Sequence, residues 1–210
     1  MRVDIWSDVV CPWCYIGKRR FEHALAGFDR RDEVEVVYRS FELNPDMPRG
    51  EVSPKAQLLV AKFGKTEAEV REIDAQMEQL AARDGLEYNL SDGIVGNTFD
   101  AHRVLHLAKE RGLQQAATEQ FFKAYFTEKR SLFDAESLAD VAVAAGLARD
   151  EVLTVLKEGT YADEVQEDIA RARALGANGV PFFVLDNRYG VSGAQPTETF
   201  TAALTKAFQA

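Results

Sequence analysis

Apolar residues run in short blocks at both ends of the chain and recur at helical spacing between them. The first block, Val3-Asp4-Ile5-Trp6-Ser7-Asp8-Val9-Val10, reads as a strand. Cys14, Phe21, Leu25 and Phe28 follow at helical steps and predict a helix, which the polar run Asp29-Arg30-Arg31-Asp32 ends. Val34 to Phe41 is β-branched and aromatic and predicts a second strand. Strand, helix and strand in that order predict a parallel pair with a right-handed crossover. Asn44 to Gly50 carries turn chemistry and marks a domain boundary.

From Ser53 to about Leu175 the spacing is helical throughout. Ser53-Pro54 reads as a cap followed by proline in the first turn, with Gly64 as the stop. Thr66-x-x-Glu69 is a capping box, and Val70, Ile73, Met77 and Leu80 then predict a buried stripe. Asn97-Thr98-Phe99-Asp100 opens a helix that ends near Gly112. Phe121, Phe122, Tyr125 and Phe126 give the next one a wide aromatic face, read as core rather than a ligand pocket. Leu138, Val141, Ala142 and Ala145 mark another, closed by Gly146, and a short one spans residues 151–157. Thr160-x-x-Asp163 starts the last of the series, through Val165, Ile169 and Ala172 to Gly176.

Beyond Gly176 the strand pattern returns. Phe182 to Leu185 and Tyr189 to Ser192, joined by Asp186-Asn187-Arg188, predict an antiparallel hairpin at a sheet edge. A final helix carries Phe200, Leu204 and Phe208 on one face. Residues 1–44 with 176–210 therefore predict one α/β sheet domain, and residues 45–175 a helical insertion.

The formal net charge is −9, and no long basic stretch occurs. That argues against nucleic acid and against an anionic membrane surface as partners. No apolar run approaches the ~20 residues of a membrane span. The first strand begins at the N-terminus with no secretory leader before it, so the expected compartment is the cytoplasm. A homodimer is an open reading for a chain of this size.

The chemistry gathers at Cys11-Pro12-Trp13-Cys14, which holds both cysteines of the chain. A strand, then C-x-x-C, then a helix is the signature of a thioredoxin-like redox site. Cys11 is expected at the helix N-cap, with Pro12 in the first turn, where its missing N–H costs nothing. Free backbone N–H groups and the positive end of the helix dipole would then stabilise a Cys11 thiolate. Cys14 lies one turn further in and would resolve. Trp13 brings no charge between them. A structural zinc site would need a second cysteine pair. A purely structural disulfide would close too short a loop to restrain the unfolded chain. In the reducing cytoplasm the resting form is expected to be the dithiol.

The order strand, C-x-x-C, helix, strand, helical insertion, Gly-Val-Pro, hairpin, helix resembles the DsbA-like branch of the thioredoxin superfamily. Several stretches look closer still to its FrnE-like cytoplasmic members: Asp8 to Gly17, Arg39 to Pro45, Asn97 to Arg103, Gly179 to Phe183 and Tyr189 to Gln195. The resemblance implies a thioredoxin-like fold with a large all-helical insertion. It also implies a cis Val180–Pro181 bond packed against the cysteine pair. There the Val180 backbone would pair with an extended substrate segment, as an added strand does. The implied activity is thiol–disulfide exchange on protein or small-molecule substrates, with no cofactor beyond the cysteine pair and glutathione as a candidate co-substrate.

Two other functions compete. Kappa-class glutathione transferases and hydroxychromene-carboxylate isomerases share the architecture but hold the glutathione sulfur with one serine where Cys11 stands. The intact C-x-x-C argues against them, as does Gly193-Ala194-Gln195, where those relatives tend to place a polar residue and an aspartate. A non-catalytic peptide-binding chaperone would leave the dithiol without a purpose. His102 and His106 stand four apart on one helix, but no third ligand is evident, so they read as a polar face or pocket wall and no metal is expected. Asp8 is close to Cys11 in sequence and either tunes the thiols or points away.

Overall fold

The computed structural model describes residues 1–209. In chain order its elements are β1 (Arg2–Ser7), α1 (Pro12–Ala26), β2 (Glu35–Ser40), β3 (Val52–Pro54), α2 (Lys55–Phe63), α3 (Glu67–Arg83), β4 (Ile94–Gly96), α4 (Phe99–Glu110), α5 (Gln114–Phe126), α6 (Ala135–Ala144), α7 (Arg149–Glu158), α8 (Ala162–Ala174), β5 (Phe182–Leu185), β6 (Tyr189–Ser192) and α9 (Thr197–Gln209). The chain divides into two compact units: Met1–Leu43 with Asp163–Ala210, and Asn44–Ala162. Among the described residues no helix is long and apolar enough to cross a membrane.

The first unit is built on a four-stranded sheet in the order β2-β1-β5-β6. β1 and β2 are parallel, with Ile5 opposite Tyr38. β5 runs antiparallel to β1, with Phe183 opposite Ile5, and β6 closes the hairpin at the edge. Alternation along β1 sorts its side chains between two faces. Val3 and Ile5 join Phe21, Phe183, Phe200 and Leu204 in a core beneath α1 and α9. Phe183 meets Phe200 edge-on, with ring centroids 4.6 Å apart, and Phe21 at 5.6 Å. Burying each such ring contributes about 1.5–3 kcal/mol. Trp6 and Val184 point the other way, onto Ala172 and Ala177.

That second face explains where the helical insertion ends. Spacing alone places residues 162–174 in the insertion, which it ends at residue 175. In the structure α8 belongs to the sheet unit and covers its other face. Polar contacts fix it there: Trp6 Nε1 donates to the Asp168 carbonyl at 2.8 Å, and the Ser40 amide to the Asp168 carboxylate at 3.0 Å. Arg39 bridges the Asp168 carboxylate at 3.0 Å and that of Asp4 at 2.8 Å. All three charged side chains are largely withdrawn from solvent.

In the second unit the aromatic face of α5 is core. Phe121, Phe122 and Phe126 are buried, and Tyr88 stacks on Phe126 at 4.8 Å. Tyr125 is half-buried and donates its hydroxyl to the Ile94 carbonyl at 2.8 Å. The capping box at Thr66 and Glu69 forms as expected.

Several local expectations differ from the structure. Pro54 stands one position before α2 as its N-cap, because Val52–Pro54 pair with Ile94–Gly96 in a two-stranded antiparallel sheet. α8 starts at Ala162 rather than beside Thr160, because Tyr161 takes a left-handed backbone conformation, φ 65°. Of the stripe on α3 only Val70 is buried; Met77 and Leu80 are half-buried, and Ile73 is 41% exposed. β1 stops at Ser7, since the chain must turn at Asp8-Val9-Val10 to bring Cys11 to the start of α1.

Candidate redox site

The β1–α1 connection presents the cysteine pair. The Cys11 amide donates to the Asp8 carbonyl at 3.0 Å, closing a turn that aims the chain into α1. Cys11 is the N-cap, with extended backbone (φ −90°, ψ 111°), and Pro12 is the first helical residue. The Cys14 amide returns to the Cys11 carbonyl at 3.0 Å, so the two cysteines are one helical turn apart. Both are reduced and buried, Cys11 at 4% and Cys14 at 2% exposure, whereas the Trp13 ring between them is 42% exposed.

One expectation is corrected. The Cys11 side chain takes no capping hydrogen bond from the first turn of α1. Its thiol instead donates to the Val180 carbonyl, 3.5 Å from sulfur to oxygen. What the helix end supplies to this sulfur is therefore the field of its aligned peptide dipoles, without a directed bond.

Val180 arrives from the loop before β5. The Val180–Pro181 peptide bond is cis, and Pro181 is buried. The Gly193 amide, just past β6, donates to the Pro181 carbonyl at 2.8 Å. The structure thus gathers all six residues singled out in the sequence, Cys11, Pro12, Trp13, Cys14, Val180 and Pro181, at one end of the sheet. His102 and His106 lie in the other unit and are not a polar face. Both are buried on α4, a helix sunk in its core on nearly every side, and His106 stacks against Tyr161. Among the described residues no three His, Cys, Asp or Glu side chains cluster as metal ligands.

Burial pushes the Cys14 thiol well above its ordinary value, and its hydrogen bond to Cys11 and the charge of Cys11 push it the same way. Two donors oppose this, the backbone amide of Asp8 and the hydroxyl of Ser7. Asp8 thus acts on Cys14 through its amide, while its carboxylate accepts from the Leu43 amide at 2.8 Å. Ser7 had no signal of its own in the sequence; it reads as one more residue of a strand. Its place as the last residue of β1, where the chain turns toward the cysteines, is what puts the hydroxyl within reach.

The fold is shared with known proteins. The probable DsbA oxidoreductase SCO1869 of Streptomyces coelicolor is 52% identical, with a TM-score of 0.95 over all of this chain and 90% of that one. The cytosolic disulfide reductase DsbM of Pseudomonas aeruginosa, solved with GSH, matches in fold at a TM-score of 0.65 and 17% identity, with both chains fully covered. The uncharacterized protein YwbO of Bacillus subtilis (strain 168) is 26% identical over 98% of this chain and 96% of its own. The family model of the DSBA-like thioredoxin domain matches residues 2–205. A cysteine pair at the mouth of α1, on a sheet of this order with a helical unit inserted, thus comes with a family match along nearly the whole chain: the protein belongs to the DSBA-like thioredoxin domain family.

Proposed function

We propose that the protein is a dithiol–disulfide oxidoreductase of the FrnE-like kind, with Cys11 as the attacking thiol and Cys14 as the resolving one. The observation that carries this reading is the asymmetry of the pair. Cys11 stands at the helix N-terminus beside the Val180 carbonyl, whereas Cys14 is buried behind it and held protonated.

The steps follow from that asymmetry. The Cys11 thiolate attacks a substrate disulfide, a Cys11–substrate S–S bond forms, and the first substrate thiolate leaves and takes a proton from water. Cys14 then gives up its proton to water and, as thiolate, attacks the Cys11 sulfur. The internal disulfide forms, and the second substrate thiolate departs. Two electrons have passed from the cysteine pair to the substrate, and the reverse sequence oxidises a substrate dithiol. The Val180 backbone and the exposed Trp13 ring would receive the substrate segment flanking its cysteine, the backbone by strand-like pairing and the ring by apolar contact. Glutathione fits the reading as the small thiol that regenerates the reduced pair. The proposed compartment is the cytoplasm, whose reducing poise keeps such a pair as the dithiol.

Two variants test it. Cys11→Ser is expected to abolish reduction of a peptide disulfide. Cys14→Ser is expected to stall as a mixed disulfide through Cys11, visible as an added substrate mass that dithiothreitol removes. Full turnover by Cys11→Ser would sink the mechanism. Trapping the pair's redox state with an alkylating agent in intact cells tests the compartment; a pair found fully oxidised there contradicts a cytoplasmic site.

A further inference from the structure

Gly17 sits in the second turn of α1, fully helical, where alanine is the better helix former. Its reason for being glycine is on the opposite wall. A Cβ at this position would stand 2.9 Å from Cγ of Pro181, and 3.5 Å from both Cα and Cβ of Ala194. Real side chains do not approach a proline ring that closely, so the missing Cβ is what lets Pro181 lie against the helix. Three residues on, and so on the same face of α1, Arg20 donates Nη1 to the Ala194 carbonyl at 2.8 Å. The neighbouring Gly193 amide donates to the Pro181 carbonyl at 2.8 Å, and the next carbonyl back along the chain, that of Val180, receives the Cys11 thiol.

These contacts form one continuous path. It leaves α1 at Arg20, crosses to Ala194, passes through Gly193 to Pro181 and Val180, and returns to α1 at Cys11. We infer that Gly17 and Arg20 are positioning residues. Arg20 ties the segment after β6 to the helix, Gly17 leaves the space that the tie requires, and together they fix how closely the Val180 backbone stands to the Cys11 sulfur. The inference rests on the oxidoreductase reading, under which a substrate cysteine must reach that sulfur while its chain lies along Val180. Neither residue touches the substrate; both act through the 193–194 segment and Pro181. The bond to the Ala194 carbonyl is made by one guanidinium nitrogen, Nη1, so a lysine that places one N–H there keeps this bond, whereas a methionine keeps the apolar stem and loses it.

The test uses Arg20→Met, Arg20→Lys and Gly17→Ala in the full-length protein, with three readouts. The first is hydrogen exchange at the Gly193 amide, which needs no activity. The second is kcat/KM for reduction of a cystine-containing peptide. The third is the rate of Cys11 alkylation by iodoacetamide, a reagent too small to need the Val180 backbone. Arg20→Met and Gly17→Ala are expected to lose protection at Gly193. Both are expected to lose roughly 10- to 100-fold in kcat/KM for the peptide, the scale on which a displacement of ~1 Å acts. Alkylation is expected to stay near the wild-type rate, and Arg20→Lys to recover most of the peptide activity. Unchanged exchange at Gly193 in both variants would overturn the inference. So would alkylation falling in step with peptide turnover, or a lysine variant as impaired as the methionine one. If the wild-type protein turns over no disulfide at all, the oxidoreductase reading fails, and the exchange measurement still decides whether the clamp exists.

Discussion

Cys11 raises the ionisation range of Cys14, its neighbour one helical turn inward, by its charge and by the hydrogen bond between them. Removing the Cys11 sulfur removes both influences and leaves burial, the largest of the three. The Cys14 thiol in Cys11→Ala should therefore titrate lower than in the wild type, yet still above the ordinary value of 9.0. Thiolate absorbance near 240 nm followed against pH checks this; identical Cys14 titrations in the two proteins would show no coupling. The same logic orders the reaction. Once Cys11 is in a mixed disulfide it carries no charge, so Cys14 is released for attack only after a substrate has been captured.

A raised thiol also makes the reduced fold sensitive to alkali. Above 9.0 the unfolded chain gives up the Cys14 proton while the folded chain keeps it. The folded state then binds more protons, and stability falls as pH rises from about 9 toward the elevated folded value, by up to ~1.4 kcal/mol per pH unit. Below 9 this contribution is fully present and flat. Urea unfolding of the reduced protein at several pH values, with Cys14→Ser as the control lacking the group, should give diverging curves only on the alkaline side.

The parts of this molecule that the sequence foretold are those decided by neighbours in the chain. The cysteine motif, the Pro12 start of α1, the β5–β6 hairpin and the capping box at Thr66 all rest on residues a few positions apart. What spacing did not disclose depends on partners far away. α8 has the periodicity of any amphipathic helix, and its assignment to the sheet turns on Asp168 meeting Arg39 and Trp6. Val52–Pro54 pair as a strand only because Ile94–Gly96 lie alongside. Periodicity shows that Val70 and Ile73 share a face of α3 but not that one is covered and the other exposed. Gly17 carried a hint, since a lone glycine within a helix often marks a close approach, but not which residue approaches.

Arg39 stands between two buried carboxylates, and its removal is expected to cost far more than an ordinary surface change. In Arg39→Met the Asp4 and Asp168 side chains stay withdrawn from water beside a neutral group. Breaking a buried pair in this way costs about 3–5 kcal/mol. Arg171 and Arg2, which also approach Asp4, soften the loss at that carboxylate. Asp168→Asn in the Arg39→Met background should therefore recover part of the stability. Urea midpoints of the wild type and these two variants check this, and a loss below about 1 kcal/mol in Arg39→Met would show the bridge to be unimportant.

Phe183 and Ile73 make a paired test of where the packing lies. Phe183 is fully buried between Phe21 and Phe200, so Phe183→Ala should destabilise by about 3–5 kcal/mol. Ile73 lies open on α3, and Ile73→Ala should change stability by no more than about 0.5 kcal/mol. A large loss at Ile73 would mean that its face is covered in solution. Sedimentation of the wild type would then show whether a second molecule covers it.

Ser7 gives the sharpest check on the resolving step. Its hydroxyl donates to the Cys14 sulfur and, with the Asp8 amide, favours the charged form that burial opposes. Ser7→Ala removes one donor and leaves the cysteines and the main-chain path of β1 in place. The Cys14 titration should move further up, and resolution of a preformed Cys11 mixed disulfide should slow at neutral pH, roughly tenfold for each pKa unit gained. The first attack involves Cys11 alone and should keep its rate. Stopped-flow mixing with a fluorogenic disulfide separates the two phases. A variant slowed in the first phase and not the second would place Ser7 beside the wrong sulfur. Slowing confined to the second phase, and relieved as pH rises, would identify the Ser7 hydroxyl as a group that readies Cys14.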